Sequence, residues 1–213
     1  MSEQKPIALE SRPAEGSRQF SPSASRNREV IGEVLSGIIP QKAYVLEIAS
    51  GTGEHALHMS KLRPDLTWQP SDPNPDARAS QNDWAKEAKG HMLTSLNIDT
   101  SQESWANGLG SYDILFCANM IHIAPWEAAL GLASAAPDLI KPKGIVVLYG
   151  PFKDSDKTAP SNLDFDVSLK SRDPKWGVRD LASVKHIFAK VGFSDCKRIV
   201  MPKNNLILVF QRS

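Results

Sequence analysis

The segment 45–56, Val-Leu-Glu-Ile-Ala-Ser-Gly-Thr-Gly-Glu-His-Ala, has the residue types and spacing of a ligand-binding loop. An apolar run passes through Gly51 and Gly53 into a helical pattern. Glycine lets a backbone approach a ligand closely, and the free N–H groups at the start of a helix face whatever binds there. Asp72 follows Gly51 by 21 positions, after the next apolar run, where a carboxylate can accept hydrogen bonds from ribose hydroxyls. Together these features predict a nucleoside-containing cofactor; a tight turn without a ligand is the alternative.

Two cofactors fit this loop. The spacing Gly51-x-Gly53-x-x-Ala56 satisfies the dinucleotide pattern, which leaves a nicotinamide-dependent oxidoreductase open. Glu47 stands four residues before Gly51, and a carboxylate there suits the cationic amino or sulfonium side of S-adenosylmethionine better than a pyrophosphate. Asp99 ends another predicted strand, where it can accept from the exocyclic amine of adenine. We therefore favour S-adenosylmethionine, with a module that binds this cofactor or a partner protein without chemistry as a third alternative.

His122 is the candidate for acid–base chemistry. It lies in the segment 117–126, after a predicted strand, at the edge where open α/β sheets place ligands. An imidazole with an ordinary pKa of about 6.5 can deprotonate an acceptor hydroxyl or thiol. An imidazole that only shapes the loop is the alternative. His55 and His58 lie three positions apart without a third ligand at a zinc-like spacing, so we expect no metal site.

Short apolar runs that alternate with helical patterns must position these residues. Strands are predicted at 43–48, 67–69, 92–98, 113–117, 145–148, 194–201 and 206–210, and helices from residue 28 and at 54–62, 75–89, 102–107, 126–140 and 181–191. The short joint between the last two strands requires antiparallel pairing. The pattern predicts a Rossmann-like, doubly wound α/β fold, in which a mostly parallel seven-stranded sheet ends in an antiparallel pair and has helices on both faces.

The length of 213 residues favours one domain of generous size. Residues 1–24 are rich in Ser, Pro, Glu and Arg and predict an N-terminal arm, whereas 25–213 predict a single domain. The polar stretch 151–180 is far longer than the usual α/β connection of about 2 to 6 residues. We interpret it as a lid-like insertion over a substrate, with a plain surface excursion as the alternative.

Composition excludes several classes of partner. The 25 basic and 24 acidic side chains give a net charge of +1 and are scattered, so neither a nucleic-acid nor a membrane surface is predicted. Cys117 and Cys196 lie 79 positions apart without a Cys-x-x-Cys motif, which fits a reducing compartment. No apolar run approaches the roughly 18 residues of a membrane span, and the first residues lack a signal-peptide run. We expect a cytoplasmic protein.

With these motifs the chain resembles the class I S-adenosylmethionine-dependent methyltransferases, whose first motif is an acid, then small residues, then Gly-x-Gly. The resemblance covers about residues 28–213 and is closer still to the methyltransferase-like 26 family, in the stretches 25–29, 46–53, 116–123, 149–152 and 173–177. It implies the fold, the cofactor and methyl transfer, and leaves the acceptor open. The Asn/Asp-Pro-Pro-aromatic signature is absent, which disfavours DNA adenine and glutamine amides, so we expect a small-molecule acceptor.

One departure and several assignments follow from this resemblance. Ala49 stands where many class members have the first glycine, which is tolerable if its φ is negative. Arg26 is available for the cofactor carboxylate, although Ser25 as a helix cap explains the same segment. The predicted cofactor residues are Arg26, Asn27, Glu47, Ala49, Gly51, Gly53, Asp72, Asn97, Ile98, Asp99 and Asn119. The predicted acceptor pocket holds Trp126, Tyr149, Phe152 and Trp176, with His122 as the base.

Overall fold

Strands and helices alternate along the computed structural model, which describes residues 12–212. The strands are β1 Ala14–Glu15, β2 Arg18–Gln19, β3 Tyr44–Ile48, β4 Thr67–Pro70, β5 Tyr112–Ala118, β6 Ile140–Pro151, β7 Asp195–Met201 and β8 Asn205–Gln211. The α-helices are α1 Pro22–Ile38, α2 Glu54–Leu62, α3 Pro75–Ala85, α4 Trp126–Leu139, α5 Pro160–Arg172 and α6 Leu181–Ala189. Single 3₁₀ turns cover Met120–His122, Ser155–Lys157 and Pro202–Asn204.

The main sheet has the strand order β4-β3-β5-β6-β8-β7. The ladders β3–β4, β3–β5 and β5–β6 are parallel, and β8 runs antiparallel to both β6 and β7. This topology confirms the predicted doubly wound α/β fold with its antiparallel C-terminal pair. Because the four parallel strands end at one edge, the loops that follow β3, β4, β5 and β6 meet there.

Alternate residues of the central strands point to opposite faces, so the sheet separates two cores. Val45 and Phe116 pack on the face covered by α1 and α2. Leu46 and Leu115 pack on the face covered by α4 and α6. Each such side chain contributes about 1.5 to 3 kcal/mol when fully buried. The two cores fix the strands and therefore the loops at the carboxyl edge.

The predicted strand at 92–98 is not continuous, so the prediction of seven strands was wrong by one. The segment forms only isolated bridges with β4 and the residue after it. Between the bridges, Gln69 Nε2 donates to the Thr94 carbonyl at 2.7 Å. The Asn82 Oδ1 atom accepts from the Ser95 N–H at 2.8 Å. Because side chains satisfy these backbone groups, a ladder does not form there.

Two further segments differ from prediction. The predicted helix at 102–107 is a series of turns, and the positive φ of Ser104, 57°, interrupts any helix. The stretch 151–180 holds a 13-residue helix, α5. Its buried positions include Asn162 and Asp166, so the inward face is partly polar and no apolar stripe marks it in the sequence.

The N-terminal part also has more structure than an arm. Residues 1–11 of the predicted arm lie outside the described residues. From residue 14 the chain forms a hairpin of β1 and β2, and α1 starts at Pro22. Ser21 is the N-cap and accepts from the Ala24 N–H at 3.2 Å, whereas Ser25, the cap considered from the sequence, lies inside the helix. None of the helices in 12–212 combines the length and apolarity of a membrane-spanning helix.

Candidate functional site

The loop from β3 to α2 is a turn built on three residues with positive φ. Ala49 has φ 54°, Gly51 has 56° and Gly53, the N-cap of α2, has 93°. The Ser50 N–H donates to the Ser71 carbonyl at 2.7 Å, which ties the turn to the end of β4. The negative φ that would make Ala49 easy to accommodate is not observed. Its methyl group is held in the left-handed region, which costs about 1 to 2 kcal/mol.

Helix α3 supports this turn from the side. Gln81 Nε2 donates to the Gly51 carbonyl at 2.8 Å, and Ser80 Oγ donates to the Thr52 carbonyl at 2.7 Å. A Cβ added to Gly53 would lie 3.0 Å from the Gln81 Cα, so only glycine fits the helix against the turn. No motif in the sequence pointed to Gln81.

Asp72 lies directly against the turn. Its Oδ2 accepts from the Gly51 N–H at 3.0 Å and its Oδ1 from the Asn74 N–H at 2.9 Å. The side chain is 7% exposed. Burial raises the pKa of Asp72, while the two backbone donors and the positive charges of Arg12 and Arg78 oppose the rise. Gly51 and Asp72, which lie 21 positions apart and together predict a nucleoside site, are thus joined by a hydrogen bond.

Glu47 lies beneath the turn rather than at its surface. It is 1% exposed, and its carboxylate accepts from Trp68 Nε1 at 2.8 Å. Burial raises the pKa of Glu47 to about 7, with the indole bond opposing and the charge of Asp72 adding to the rise. The group therefore titrates near neutrality, and its nearest partner is the indole on the neighbouring strand.

The segment after the interrupted strand runs beside Asp72. The Asp72 N–H donates to the Leu96 carbonyl at 3.0 Å. Asn97 is exposed and accepts from Arg78 Nη1 at 3.1 Å, and Ile98 is buried. Asp99 accepts from the Ser101 N–H at 2.9 Å and Oγ at 2.6 Å. Asn97 is therefore linked towards Asp72 through Arg78, whereas Ile98 packs in the core on the α4 and α6 face and Asp99 holds its own loop.

Helix α1 approaches the site with two of the predicted residues. Asn27 Oδ1 lies 2.9 Å from His55 Nε2, and the Asn27 side chain is close enough to Tyr149 to oppose the rise that burial gives the pKa of its hydroxyl. Burial lowers the pKa of His55 to about 4, so this imidazole is neutral and bonds Asn27 as part of the packing. Arg26, one residue earlier, is exposed. Asn27 therefore joins α1, α2 and β6 near the carboxyl edge.

His122 follows β5 and is 1% exposed. Its Nδ1 accepts from the Arg179 N–H at 3.1 Å, and its ring packs edge-on against Phe152 with centroids 5.1 Å apart. Burial, helped by the charge of Arg179, lowers the pKa of His122 to about 3. Because Nδ1 accepts, the neutral ring carries its proton on Nε2, so Nε2 is a donor. Within residues 12–212 this Nε2 is buried and has no hydrogen-bond partner.

His122 Nε2 lies beside Gly150, and Asn119 borders the same glycine. A Cβ built on Gly150 would lie 2.6 Å from His122 Nε2 and 3.1 Å from Asn119 Oδ1. Asn119 has φ 62°, and its N–H donates to the Tyr149 carbonyl at 2.8 Å. The ends of β5 and β6 thus meet around Gly150. This arrangement opposes the general-base role predicted for His122, which needs an unprotonated nitrogen at the acceptor.

Arg179 holds the acceptor side together. Its Nε donates to the Ile121 carbonyl and its Nη2 to the Ala124 and Lys175 carbonyls, each at 2.7 or 2.8 Å. Its guanidinium lies 5.4 Å from the Trp126 ring centroid. The segment 151–180 is thereby bonded to the loop after β5. The sequence placed Arg179 in that segment but gave no sign of its bonds to the loop, which join residues more than 50 positions apart.

The four predicted wall residues fall into two groups. Phe152 contacts His122, Trp126 contacts Arg179, and partly buried Trp176 precedes Gly177, whose N–H donates to the His122 carbonyl at 2.9 Å. Tyr149 instead packs in the core on the α1 and α2 face, opposite that of Phe152. Tyr149 is therefore set apart from the other three side chains, and a pocket wall formed by all four stays a prediction.

The cysteines and the histidines other than His122 form no second candidate site for a metal within residues 12–212. In the described part of the chain, His, Cys, Asp and Glu form no group of three suited to a metal. Cys117 is buried, and burial raises the pKa of its thiol to about 12. His58 packs on α1, where a Cβ on Gly32 would lie 2.7 Å from its Nε2.

Solved structures of methyltransferases share this fold. An O-methyltransferase family protein from Burkholderia thailandensis matches with a TM-score of 0.76 at 18% identity, covering 90% of this chain and 57% of that chain. Human N-acetylserotonin methyltransferase in complex with S-adenosylmethionine matches with 0.73 at 13%, covering 90% and 53%. CalO1, a methyltransferase of calicheamicin biosynthesis with S-adenosylhomocysteine bound, matches with 0.75 at 14%, covering 90% and 54%. This chain spans little more than half the length of these proteins, and the likeness is one of fold.

A family model identifies the relatives of this sequence more directly. The model described as "Protein of unknown function (DUF938)" matches residues 18–212. The match covers nearly the whole described chain. The protein belongs to this family.

Proposed function

We propose that the protein transfers a methyl group from S-adenosylmethionine to a small-molecule acceptor. This proposal rests on the hydrogen bond from the Gly51 N–H to Asp72. The bond places a carboxylate that can accept from ribose hydroxyls beside a glycine turn at the end of β3. The fold shared with solved methyltransferases supports it, including one in complex with S-adenosylmethionine and one with S-adenosylhomocysteine bound. The closer resemblance to the methyltransferase-like 26 family, a single domain from residue 25 and a cytoplasmic location are parts of the same proposal.

The residues around the turn divide the recognition of a nucleoside between them. Asp72 accepts from the ribose hydroxyls, and the backbone of Gly51 and Gly53 lines the approach to the ligand. Asn97, Ile98 and Asp99 flank the side where adenine would lie. Glu47 is partly ionised at neutral pH beneath the turn, and through its bond to Trp68 it fixes the end of β3.

Bound S-adenosylmethionine supplies an electrophilic methyl group on a sulfonium, and its transfer leaves a neutral thioether. The protein therefore has to align the acceptor with that methyl group, exclude water and, where the acceptor atom carries a proton, let that proton pass to a base or to solvent. Alignment alone can lower a barrier by about 7 to 11 kcal/mol in well-oriented cases. The loops after β5 and β6 serve this purpose, because Asn119, Gly150 and His122 meet there in fixed positions.

We propose that His122 donates from Nε2 to the acceptor or to Asn119 and so orients the acceptor. The bond from the Arg179 N–H to Nδ1 keeps the proton on Nε2. A general-base role stays a prediction of the sequence, and it would require the imidazole to release this bond. The pH dependence of turnover separates the two roles.

The acceptor side is compact. A depression of about 240 Å³ is lined by side chains from the start of α4, from α5 and from the segments on either side of α5, among them Trp126, Lys153, Asp166 and Arg179. Lys153 and Lys170 both pair with Asp166, at 3.3 and 2.7 Å. An indole beside such paired charges suits a small planar or polar acceptor. We propose the segment 151–180 as the cover of this acceptor site.

The experiment is a single-turnover reaction of the full chain with methyl-tritiated S-adenosylmethionine and a pool of small metabolites. Formation of S-adenosylhomocysteine together with a labelled small molecule is the expected result. Asp72→Asn serves as the variant that should lose the reaction, and Asp138→Asn, at an exposed position near the end of α4, as the carboxylate control. Binding of S-adenosylmethionine without any labelled product from an exhaustive pool would support the non-catalytic alternative and contradict methyl transfer.

A further inference from the structure

Arg12 places a positive charge over the glycine turn. A Cβ built on Gly51 would lie 3.5 Å from Arg12 Nη2, and the charge of Arg12 opposes the rise that burial gives the pKa of Asp72. Within residues 12–212 the Arg12 Nε atom is buried and has no hydrogen-bond partner. A buried donor without an acceptor is costly, so this guanidinium stands where an acceptor is expected.

The hairpin of β1 and β2 holds Arg12 in this position. The Phe20 N–H donates to the Pro13 carbonyl at 2.9 Å, which closes the hairpin immediately after Arg12. The Gln19 N–H donates to Ser80 Oγ at 2.8 Å. The same Ser80 hydroxyl donates to the turn at Thr52, so the hairpin and the turn share one anchor on α3.

Two aromatic contacts strengthen this anchor. The Arg18 guanidinium lies 4.4 Å from the Trp84 ring centroid and also pairs with Glu87. The Phe20 ring packs edge-on against Trp84 with centroids 5.3 Å apart. The hairpin is therefore bound to α3 by several independent contacts, and the backbone that carries Arg12 is positioned with the turn.

We infer that Arg12 binds the carboxylate of the amino-acid portion of the cofactor. This inference rests on the proposed function. The carboxylate is the anionic group of S-adenosylmethionine, and a guanidinium is the side chain best suited to donate to its two oxygens. Asp72 remains for the ribose. Arg26, the arginine predicted for this task from the sequence, is exposed on α1, whereas Arg12 lies over Gly51 itself.

The test uses two ligands that differ in one group, S-adenosylmethionine and decarboxylated S-adenosylmethionine. Calorimetric titration of the full chain and of Arg12→Ala with both ligands gives four dissociation constants. We expect Arg12→Ala to weaken S-adenosylmethionine about 10- to 100-fold, the effect of losing one charge-assisted pair, and to change the decarboxylated ligand less than about 3-fold. Arg12→Lys should recover part of the loss, because the charge returns without the planar pair of donors.

Arg212→Ala removes an arginine bonded to the Pro137 carbonyl and serves as the charge-matched control. Equal weakening of both ligands would contradict the inference, because Arg12 would then support the ribose or the turn. Tighter binding of both ligands would also contradict it and would make Arg12 a competitor for Asp72. If Arg26→Ala alone weakened S-adenosylmethionine and left the decarboxylated ligand unchanged, Arg26 and not Arg12 would bind the carboxylate. If the unaltered chain binds neither ligand, the proposed function fails, which is distinct from all of these outcomes.

Discussion

The two halves of the site are built in different ways. Around the glycine turn, the key groups come from short stretches of chain after β3 and β4, and backbone atoms carry much of the geometry. Around His122, the groups come from the loop after β5 and from the segment before α6, and Arg179 joins them across more than 50 positions. The first half presents a carboxylate, a glycine backbone and the guanidinium of Arg12, whose Nε has no hydrogen-bond partner within residues 12–212. In the second half, the His122 imidazole is buried and accepts a hydrogen bond from the Arg179 N–H.

Under the proposed function, this difference separates the residues that would recognise the cofactor from those that would position the acceptor. The turn has groups suited to a charged, polar nucleoside ligand. The His122 region is suited to positioning, because its titratable group is held neutral at ordinary pH. The following predictions test whether the two halves are as different as their contacts indicate.

The largest effect is expected at Gly53. Gly53→Val places a branched side chain at φ 93° and drives its Cβ toward the Gln81 backbone, so the free energy of unfolding should fall by about 4 kcal/mol. Gly90→Val is the matched control, because Gly90 has φ 87° with nothing within 4 Å of its Cβ. Urea denaturation of both variants measures the difference. Equal losses would show that α3 does not support the turn.

His122→Ala should lower the free energy of unfolding by about 2 to 4 kcal/mol at pH 7, since it leaves the Arg179 N–H unpaired and a cavity beside Phe152. The native pKa of about 3 lies below the unfolded value of about 6.5. The imidazole therefore contributes stability above pH 6.5 that is lost as the pH falls toward 3. Unfolding from pH 4 to 7 should show a shallower pH dependence in the variant.

The same substitution tests the role of His122 in turnover. Orientation by a neutral donor predicts turnover that is lower in His122→Ala but has the same pH profile in both proteins. A general base predicts an inflection in the unaltered protein that the variant lacks. Observation of that inflection would restore the base role and make the two halves more alike.

Glu47→Gln should remove a pH dependence of the opposite sign. The pKa of Glu47 is about 7 in the folded protein and about 4.3 when unfolded, so the folded state holds the extra proton between these values. Stability therefore falls as the pH rises from about 4.5 to 7 and stays lower above it. We expect Glu47→Gln to be more stable than the unaltered protein by about 2 kcal/mol at pH 8. Exposed Glu103→Gln is the control, and a matching change there would refute the assignment.

The smallest effect is expected at Ala49. Ala49→Gly relieves the left-handed φ of 54° but makes the unfolded chain more flexible, so the gain in stability should be about 0.5 kcal/mol. Lys89→Gly, at an exposed residue with φ 51°, gives the same backbone change away from the site. Thermal unfolding compares them. Tighter binding of the cofactor by Ala49→Gly, and not by Lys89→Gly, would show that the methyl group of Ala49 shifts the turn.

The contrast between the halves also explains what the sequence could predict. The strand, the glycines and Asp72 lie in local patterns with a known spacing, so the sequence predicts both the fold and the turn. Three other features depend on tertiary contacts: the hydrogen bond from Arg179 to His122, the support of the turn by Gln81 and the position of Arg12. Each involves a single residue far from its partner in the sequence, so no local pattern predicts it. Helix α5 was missed because polar residues occupy part of its buried face. The strand at 92–98 was overpredicted because side-chain hydrogen bonds replace its ladder.

Calorimetric titration with S-adenosylhomocysteine and with NADH tests directly whether the protein binds the cofactor of a methyltransferase. We predict that the unaltered protein binds S-adenosylhomocysteine and not NADH. Asp72→Asn should weaken that binding about 10- to 100-fold, because a charged acceptor of ribose hydroxyls is lost. Asp99→Asn should change it less than about 3-fold, because Asp99 holds the Ser101 turn. Binding of NADH in place of S-adenosylhomocysteine, or undiminished binding by Asp72→Asn, would contradict the account.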